Sequence, residues 1–319
     1  MPLRKIGVKA AMPGFVEPQL ATLKTRPPHG GDTLNEIKFD GYRVQIHLVR
    51  GTPAIYTRNG LDWTHRFKPI AHALDYNVSA ILDGEIAVVE DGRTNFSLLQ
   101  ADLASGRKDR MALYLFDLLY QEGRDLRGEP LIKRKEALQE LRRKFQNPVF
   151  YSEHFDISAR DLFEIARQGN HEGIVCKNRD APYTSGRTES WVKVKCVQKA
   201  RFPVVGFIPD VIGVSALYLG REDGKELIYV GKVGSGFSHK TSVSVRRQLE
   251  AFVTPEQRLT RKVRKPRAKW VEPRFYAEVV YRDITADGLL RQTAFKGLSE
   301  SRAGQSEIAH NSTSGSDRT

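Results

Sequence analysis

The pattern with the clearest chemical potential is Glu36-Ile-Lys38-Phe-Asp40-Gly41-Tyr-Arg43, which has the form K-x-D-G-x-R. At average residue frequencies, its four fixed positions arise by chance in roughly a few of every thousand chains of this length. A lysine amine can act as a nucleophile in covalent catalysis, which divides one difficult step into two easier ones. Taken alone, Lys38 is equally well explained as a surface lysine at the end of a strand, so the interpretation depends on its companions.

Further motifs follow along the chain. They are Arg58-Asn-Gly60, Asp83-Gly-Glu85, Phe116-Asp117, Glu172-Gly-Ile-Val-Cys-Lys177 and Trp191-Val-Lys193-Val-Lys195. The two lysines of the last motif alternate with valines, so both ammonium groups lie on one side of a strand and can neutralise charge that develops on a phosphate. Without the other motifs, this pair would be a solvated basic strand face. An aromatic residue such as Phe116 in a buried strand is as easily explained as part of the core.

The elements that must position these motifs are mainly strands. Apolar runs predict strands at residues 44–50, 80–89, 113–120, 173–177 and 191–195. Helical spacing predicts helices over residues 132–145 and 161–167, the first with a solvent-facing side of lysine and arginine. The proline-rich start of the chain is expected to be irregular. Together these features indicate an α+β fold.

Beyond residue 198 the pattern changes to short strands separated by glycine turns. Strands are predicted at residues 202–208, 215–220, 226–231 and 276–281, with one helix at residues 243–252. Evenly spaced short strands around a single helix favour a small β-barrel of the OB type. We therefore predict an α+β domain over residues 1–197, a barrel over residues 198–298 and a disordered polar tail over residues 299–319.

Charge points to a polyanionic partner. The chain has 51 Lys and Arg against 38 Asp and Glu, a net charge of +13, which favours nucleic acid, although a merely basic soluble protein is the alternative. Residues 258–269 contain seven Lys and Arg and no acidic residue. Such a run is either a flexible solvated loop or a contact to a phosphate backbone.

Composition excludes several classes of protein. Hydrophobic residues make up 40% and charged residues 28% of the chain, which is the balance of a globular protein. No apolar run approaches the ~20 residues that span a bilayer, so a membrane bundle is excluded. Two cysteines exclude a disulfide scaffold and a four-cysteine zinc site and indicate an intracellular, reduced protein. The chain lacks the GxxxxGK[ST] loop of P-loop enzymes.

The order and separation of the motifs resemble those of the six-motif nucleotidyltransferases, in particular the ATP-dependent DNA ligases. Four further segments are similar to the ligase domain of bacterial ligase D, the non-homologous end-joining enzyme. They are Ala181-Pro-Tyr-Thr-Ser-Gly-Arg187, Tyr229-Val-Gly-Lys-Val-Gly-Ser-Gly-Phe237, Trp270-Val-Glu-Pro273 and Phe295-Lys-Gly-Leu298. The likeness extends from about Pro18 to Leu298. It implies a nucleotidyltransferase domain of ATP-grasp-like antiparallel sheets with helices, followed by an OB-fold domain, as a free-standing ligase.

The resemblance also implies roles for the phosphate-facing residues. Lys38 would attack the α-phosphate of ATP and carry AMP as a lysyl-AMP intermediate. Asp40 would act in the later steps at the DNA 5′-phosphate. The remaining cations would bind the nucleotide phosphates, with Lys193 and Lys195 also counted as catalytic; they are Arg58, Lys177, Lys193 and Lys195.

For the rest of the nucleotide, the resemblance implies that Phe116 stacks on adenine and that Glu36 reads its exocyclic amine. Arg43 would hold the ribose or the nick phosphate through its planar guanidinium. Glu85 and Glu172 would bind Mg²⁺ or Mn²⁺, with Glu85 also near the ribose. Magnesium prefers few carboxylates together with phosphate oxygens, which suits such a pair.

Two segments depart from the ligase D pattern. Relatives carry Arg-Glu-Asp-Lys after Phe-Lys-Gly-Leu, whereas this chain has Ser299-Glu-Ser-Arg302. By resemblance, this stretch and Lys296, which is retained, contact the leaving pyrophosphate or DNA. The segment Asp32-Thr-Leu-Asn35 also lacks the tryptophan and histidine that relatives carry near the lysine. The first change predicts impaired self-adenylylation.

The resulting prediction is an ATP-dependent DNA ligase that seals nicks and strand breaks in double-strand break repair. Its implied partners are ATP, Mg²⁺, nicked or broken duplex DNA and the end-binding protein Ku. We expect a monomer in the bacterial cytoplasm, associated with the nucleoid. The alternatives are a catalytically impaired DNA-end-binding protein and an RNA ligase of the same superfamily.

Overall fold

The computed structural model describes residues 6–300 apart from Asp283 and Ala286. The chain divides into two compact units, Met1–Cys196 and Val197–Thr319. Within the described part of the chain, no helix combines the length and the apolar character needed to cross a membrane.

The first unit is built mainly of strands. They are β1 (Val8–Lys9), β2 (Gln19–Lys24), β3 (Thr33–Ile37), β4 (Tyr42–Val49), β5 (Thr52–Thr57), β6 (Ala80–Glu90), β7 (Arg93–Thr94), β8 (Met111–Gln121), β9 (Arg124–Asp125), β10 (Val149–Tyr151), β11 (His154–Phe155), β12 (Gly173–Asn178) and β13 (Gly186–Lys195). The helices are α1 (Lys68–Ala73), α2 (Phe96–Ser105), α3 (Leu131–Arg142) and α4 (Ala159–Gln168), with a short 3-10 helix at Thr64–Arg66.

These strands form two sheets. The larger has the order β1-β9-β8-β6-β4-β5, with β7 beside β6 and β10 parallel to β8. The smaller has the order β11-β3-β12-β13-β2, with β2 parallel to β13. The strand register brings distant motifs side by side. Arg43 is paired with Glu85, Lys177 with Trp191, and Val175 with both Glu36 and Lys193.

Each sheet of the first unit is covered by helices on an apolar face. Val44, Ile46 and Leu113 of the larger sheet form one buried cluster with Ile70 of α1 and Leu138 of α3. On the smaller sheet, the buried side chains of α4 pack against alternate residues of β12 and β13; they are Leu162, Ala166, Ile174, Val192 and Val194. This alternation leaves the lysines of β13 on the opposite face of the strand.

Helix α3 differs from its sequence prediction in one respect. Its basic side was expected to face solvent, but Arg134 and Lys135 are fully buried. Arg134 is paired with Asp117 of β8, and Lys135 with Glu36 of β3. Cations are almost never fully buried unless they are paired, and here both partners are carboxylates of strands outside the helix.

The second unit contains one long strand around which the others are arranged. Its elements are β14 (Gln198–Pro209), β15 (Val214–Asp223), β16 (Glu226–Val233), α5 (His239–Glu250), β17 (Val253–Thr254), β18 (Lys269–Val271), β19 (Phe275–Tyr281) and β20 (Ala294–Glu300). The first half of β14 pairs with β19, and the second half pairs with β15 and β18. The strands enclose a core that includes Val204, Leu217, Val230 and Val279, together with Leu249 of α5.

The structure corrects two boundary predictions. The polar tail was expected to begin at Ser299, but β20 continues to Glu300, because Ser299 pairs with Tyr276 and Glu300 with Phe275. The start of the chain was expected to be irregular, but Gln19–Lys24 forms β2. Ser301, Arg302 and the remainder of the predicted tail lie outside the described residues.

Candidate active site

Lys38 directly follows β3, where this strand meets β12. Its backbone N–H donates to the carbonyl oxygen of Gly173 at 2.9 Å. A Cβ on Gly173, whose φ is +150°, would lie 2.1 Å from the carbonyl oxygen of Val194. Only glycine therefore allows β12 to approach β13 this closely. Gly173 thus allows the close packing of β12 on β13 and accepts the backbone hydrogen bond of Lys38.

One carboxylate holds two of the predicted catalytic lysines. The Lys38 Nζ contacts Oε2 of Glu172, and the Lys195 Nζ lies 3.3 Å from Oε1 of the same residue. The Glu172 side chain is only 4% exposed, whereas that of Lys38 is 20% exposed. The buried carboxylate therefore fixes an amine that remains accessible.

Positive charge accumulates around Lys38. The pKa of Lys193 is lowered, first by burial and then by the nearby charges of Lys38, Lys195 and Arg187. These cations come from β13 and from the residue after β3. A bound polyanion, such as a polyphosphate, would relieve the repulsion between these cations, so the site favours a ligand of this kind.

Glu36 is the centre of a second, fully buried group of charges. Its Oε1 accepts hydrogen bonds from Lys135 Nζ at 2.8 Å and Lys177 Nζ at 2.9 Å, and its Oε2 accepts one from Ser152 Oγ at 2.7 Å. Burial alone would raise the pKa of Glu36, but the two ammonium groups lower it below its ordinary value. Glu36 is therefore an ionised carboxylate.

Two aromatic rings flank this group. The Lys177 Nζ lies 4.5 Å from the ring centroids of both Phe116 and Trp191, and these rings meet edge to face at 6.0 Å. Burial lowers the pKa of Lys177 to about 8 against the attraction of Glu36. The Arg43 guanidinium lies 5.3 Å from the Phe116 ring centroid and 5.6 Å from that of Trp191.

A cavity of about 520 Å³ joins these groups within the first unit. This volume lies in the range of small-molecule sites. Eight residues predicted from the sequence line it: Glu36, Lys38, Arg43, Arg58, Glu85, Phe116, Lys177 and Lys193. Residues as far apart in the sequence as Glu36 and Lys193 thus line the same cavity.

Four predicted residues lie elsewhere. Glu172 and Lys195 are not among the described lining residues of the cavity. Glu172 contacts the lining residue Lys38, and Lys195 contacts Glu172. Asp40 also lies outside the lining, and its backbone N–H donates to Thr94 Oγ1 at 2.9 Å. Lys296 lies on β20 of the second unit.

Sequence reasoning missed several residues of the site. Lys135 and Ser152 hold Glu36 but occur in no recognisable motif, so no local signal could have identified them. Arg187 and Trp191 line the cavity. Both belong to motifs recognised in the sequence, but neither was predicted to have a role. Tyr183 donates to Asp83 Oδ2 at 2.7 Å, a contact between residues 100 positions apart.

The carboxylates present fit a metal ion that is shared with substrate phosphates. Within the described residues, no group of three His, Cys, Asp or Glu side chains forms a metal cage, but Mg²⁺ commonly takes only one or two carboxylates and completes its shell with phosphate and water. Burial raises the pKa of Glu85 to about 7, against the attraction of Lys38 and Arg43 and with the repulsion of Glu172. Glu85 lines the cavity, and a cation bound beside it would favour its charged form.

Comparisons with known proteins agree with this geometry. Residues 18–195 match the family model described as ATP dependent DNA ligase domain, and residues 212–302 match the ATP dependent DNA ligase C terminal region. The multifunctional non-homologous end joining protein LigD of Pseudomonas aeruginosa is 35% identical over 312 residues, which cover 93% of this chain and 37% of that protein. LigD of Mycobacterium tuberculosis is 30% identical over 275 residues, which cover 82% of this chain and 35% of that protein. The chain thus spans little more than a third of the length of these relatives.

Solved structures show the same relationship. The ligase domain of M. tuberculosis LigD is similar with a TM-score of 0.55 and 28% identity, over 88% of this chain and 94% of that one. A mycobacterial DNA ligase D complexed with ATP and MES gives a TM-score of 0.54 and 29% identity, over 89% and 95%. The first unit is thus a nucleotidyltransferase-type ligase domain, followed by a ligase C-terminal domain. Since the match over residues 18–195 alone covers more than half of the 319 residues, the chain belongs to the family of ATP-dependent DNA ligases.

Proposed function

We propose that this chain seals nicks and breaks in duplex DNA with ATP, through a lysyl-AMP intermediate on Lys38. The observation that carries the proposal is the position of Lys38. Its amine stands in the wall of a nucleotide-sized cavity, is fixed by the buried Glu172 and has cationic neighbours on β13. The match to the ATP-dependent ligase models supports the same chemistry.

In the first step, the unprotonated Lys38 amine attacks the α-phosphorus of ATP. The nitrogen–phosphorus bond forms as the bond to the bridging oxygen of pyrophosphate breaks, and pyrophosphate leaves. The Glu172 carboxylate, which contacts Nζ, orients the amine, and the proton that the amine loses passes to water. AMP then moves to the DNA 5′-phosphate, and the 3′-hydroxyl displaces AMP to close the strand.

The cations of β13 would stabilise the phosphates. Lys193 and Lys195, with Arg58 at the cavity wall, would neutralise the charge that develops as pyrophosphate departs. Lys177 lies deeper, between Glu36 and the aromatic rings, and would contact the nucleotide from the base side. The mycobacterial ligase D structure, which holds ATP, supports ATP as the substrate.

The base would bind between Phe116 and Glu36. The Phe116 ring offers a stacking surface in the cavity wall, and the ionised Glu36 offers an acceptor to the exocyclic amine of adenine. Arg43 would hold the ribose or the nick phosphate. Glu85 and Glu172 would hold Mg²⁺ or Mn²⁺, which when bound screens the charge of the triphosphate.

DNA is the proposed polyanionic partner. The net charge of +13 favours it, and Asp40 and Lys296 would act at the DNA or at the pyrophosphate. We propose an OB-type barrel for the second unit, supported by the long strand β14 that pairs along both halves. The similarity to LigD proteins of non-homologous end joining supports a role in double-strand break repair. We also propose a monomeric enzyme that acts at the nucleoid in the bacterial cytoplasm, with Ku as its partner.

Self-adenylylation tests this function directly. The purified protein is incubated with α-labelled ATP or GTP and Mg²⁺, beside a Lys38→Ala control, and label on the denatured chain is counted. We expect label from ATP only and none in the control, followed by sealing of nicked DNA and not of nicked RNA. No label from either nucleotide, with retained binding to nicked DNA, would instead favour a DNA-end-binding protein.

A further inference from the structure

Four side chains form what we call the Glu36 cluster: Glu36, Lys135, Ser152 and Lys177. All four are at most 3% exposed. Lys135 comes from α3, Ser152 follows β10, Lys177 lies on β12 and Glu36 on β3, so the cluster joins both sheets of the first unit to a helix. Its hydrogen bonds are all 2.7–2.9 Å long.

Lys135 stands behind the cavity wall. Glu36, Ser152 and Lys177 line the cavity, whereas Lys135 is not one of the described lining residues. Its Nζ donates to Glu36 Oε1 at 2.8 Å and to the Ser152 carbonyl oxygen at 2.8 Å, and lies 4.6 Å from the Tyr151 ring centroid. Lys135 therefore acts on a bound molecule through Glu36 and Ser152 and not by direct contact.

The hydrogen bonds of the cluster determine what Glu36 can offer to a ligand. An ionised carboxylate only accepts hydrogen bonds, and each of its oxygens accepts about two. Oε1 already receives two ammonium groups, while Oε2 receives the Ser152 hydroxyl. Oε2 therefore retains acceptor capacity at a residue of the cavity wall. With two cations on one carboxylate, the cluster keeps Glu36 from taking up a proton and becoming a donor.

We propose that Lys135, assisted by Ser152, is a positioning residue for base selection: it locks Glu36 as a hydrogen-bond acceptor, so that the site selects purines that carry a donor at C6. Adenine carries an amine there, guanine carries an oxygen acceptor, and unsubstituted purine carries neither. Adenine donates to the remaining acceptor site on Oε2, whereas guanine places an acceptor against it and purine leaves it unused. The loss of one hydrogen bond to a charged group is the basis of the discrimination. The inference rests on the proposed binding of the nucleotide base at Glu36.

The test compares binding of ATP, GTP and purine riboside 5′-triphosphate, which lacks the C6 amine. Calorimetry without divalent cations measures the dissociation constants while no adenylylation occurs. We expect the wild-type protein to prefer ATP over the other two by roughly 10- to 100-fold, the effect of one hydrogen bond to a charged group. Lys135→Met should lower this preference to threefold or less, mainly by weakening ATP. Lys133→Met, on the exposed side of the same helix, is the matched control and should retain it.

A structural role alone would weaken all three nucleotides equally and leave their ratio unchanged. Because Lys135→Met removes a buried charge, Ser152→Ala is measured in parallel: it removes only the hydroxyl on Oε2 and should lower the preference at least threefold. The proposal is overturned if wild-type protein binds ATP and purine riboside triphosphate equally, or if Ser152→Ala and every folded Lys135 variant keep the wild-type ratio. A protein that shows the preference but forms no lysyl-AMP would refute the ligase function and leave this inference intact.

Discussion

The guanidinium of Arg43 on β4 and the carboxylate of Asp83 on β6 form a bidentate ion pair. Nε lies 3.0 Å from Oδ1 and Nη2 lies 2.6 Å from Oδ2, while Tyr183 donates its hydroxyl to the same Oδ2 at 2.7 Å. Arg43 is the last residue of the K-x-D-G-x-R motif, and Asp83 is the first of Asp83-Gly-Glu85. The pair therefore fixes the relative positions of two motifs of the cavity wall.

Loss of this pair should destabilise the protein. Asp83→Asn would leave the Arg43 charge without its partner in a site where Asp83 is only 1% exposed, and breaking such a pair costs about 3 kcal/mol or more. We expect a fall in melting temperature of roughly 6–12 °C. Asp109→Asn is the control, because its pair with Arg107 is exposed and should shift the melting temperature by less than about 3 °C. Equal shifts for the two variants would contradict the expectation.

Much of the fold was accessible from the sequence. The strands expected at residues 80–89 and 113–120 are confirmed as β6 and β8. Their continuous apolar runs are typical of strands that are buried in the core of a sheet. Strand β2 was missed, because its pairing is not local: Leu20 pairs with Arg187. Likewise, the burial of Lys135 depends on a carboxylate 99 positions away, which no helical periodicity can indicate.

The candidate site also contains residues that the sequence identified and residues that only the structure revealed. Residues within motifs, such as Lys38 and Glu172, were identified because their types and spacing are unusual. Lys135 and Ser152 were not, because a single lysine or serine carries no signal until the fold brings it to Glu36. The chemical assignments of the motif residues remain predictions, which the following experiments address.

Lys195 should contribute to the rate of adenylylation through charge. Its Nζ shares Glu172 with Lys38, and removal of one preorganised donor to a developing charge typically slows a reaction about 100-fold or more. We expect Lys195→Ala to form lysyl-AMP at least 100-fold more slowly in a single-turnover assay with labelled ATP. Lys24→Ala removes an exposed lysine, paired with Glu189, and should react at the wild-type rate. A wild-type rate for Lys195→Ala would exclude the proposed role.

The glycine of the K-x-D-G-x-R motif should be required for packing. A Cβ on Gly41 would lie 2.1 Å from the Ile86 carbonyl oxygen and 3.1 Å from Glu85 Cγ, so β4 and β6 would have to separate. Gly41→Ala is expected to destabilise the protein by about 1–3 kcal/mol, as overpacking does, and to lower the melting temperature accordingly. At Gly128 an added Cβ meets none of the described atoms within 4 Å. Gly128→Ala should therefore melt as the wild type does.

The Glu36 cluster should make stability depend on acidity. The pKa of Glu36 is lowered from 4.5 by Lys135 and Lys177 despite burial. Below pH 4.5 the unfolded chain therefore binds more protons at this position than the folded chain does, and stability is lost as pH falls through the folded-state pKa. Glu36→Gln removes this contribution, so its melting temperature should fall less steeply between pH 5 and about pH 3. Glu136→Gln, at an exposed position, should retain the wild-type slope; an unchanged slope in Glu36→Gln would contradict the assignment.

The basic run at residues 258–269 is attached to the second unit at defined points. Leu259 is buried, and Thr260 and Leu227 exchange two hydrogen bonds of 3.0 and 2.9 Å. Gln257 bonds both the N–H and the carbonyl of Val263. Arg258 pairs with Glu272. These contacts fasten the run to the second unit. Three arginines of the run are exposed and recur at every third position: Arg261, Arg264 and Arg267.

If this run contacts the DNA backbone, replacing the three arginines with glutamine should weaken binding to nicked duplex DNA. Each neutralised phosphate releases counterions, so the slope of log affinity against log salt should become less steep by about 0.9 for each phosphate that the variant no longer neutralises. Lysyl-AMP formation should change less than twofold, because this first step uses ATP and no DNA. The control replaces Lys133, Arg143 and Lys144, exposed cations of the first unit, with glutamine. An equal reduction of affinity in the control would attribute the effect to net charge, and an unchanged slope in the arginine variant would identify the run as a solvated loop.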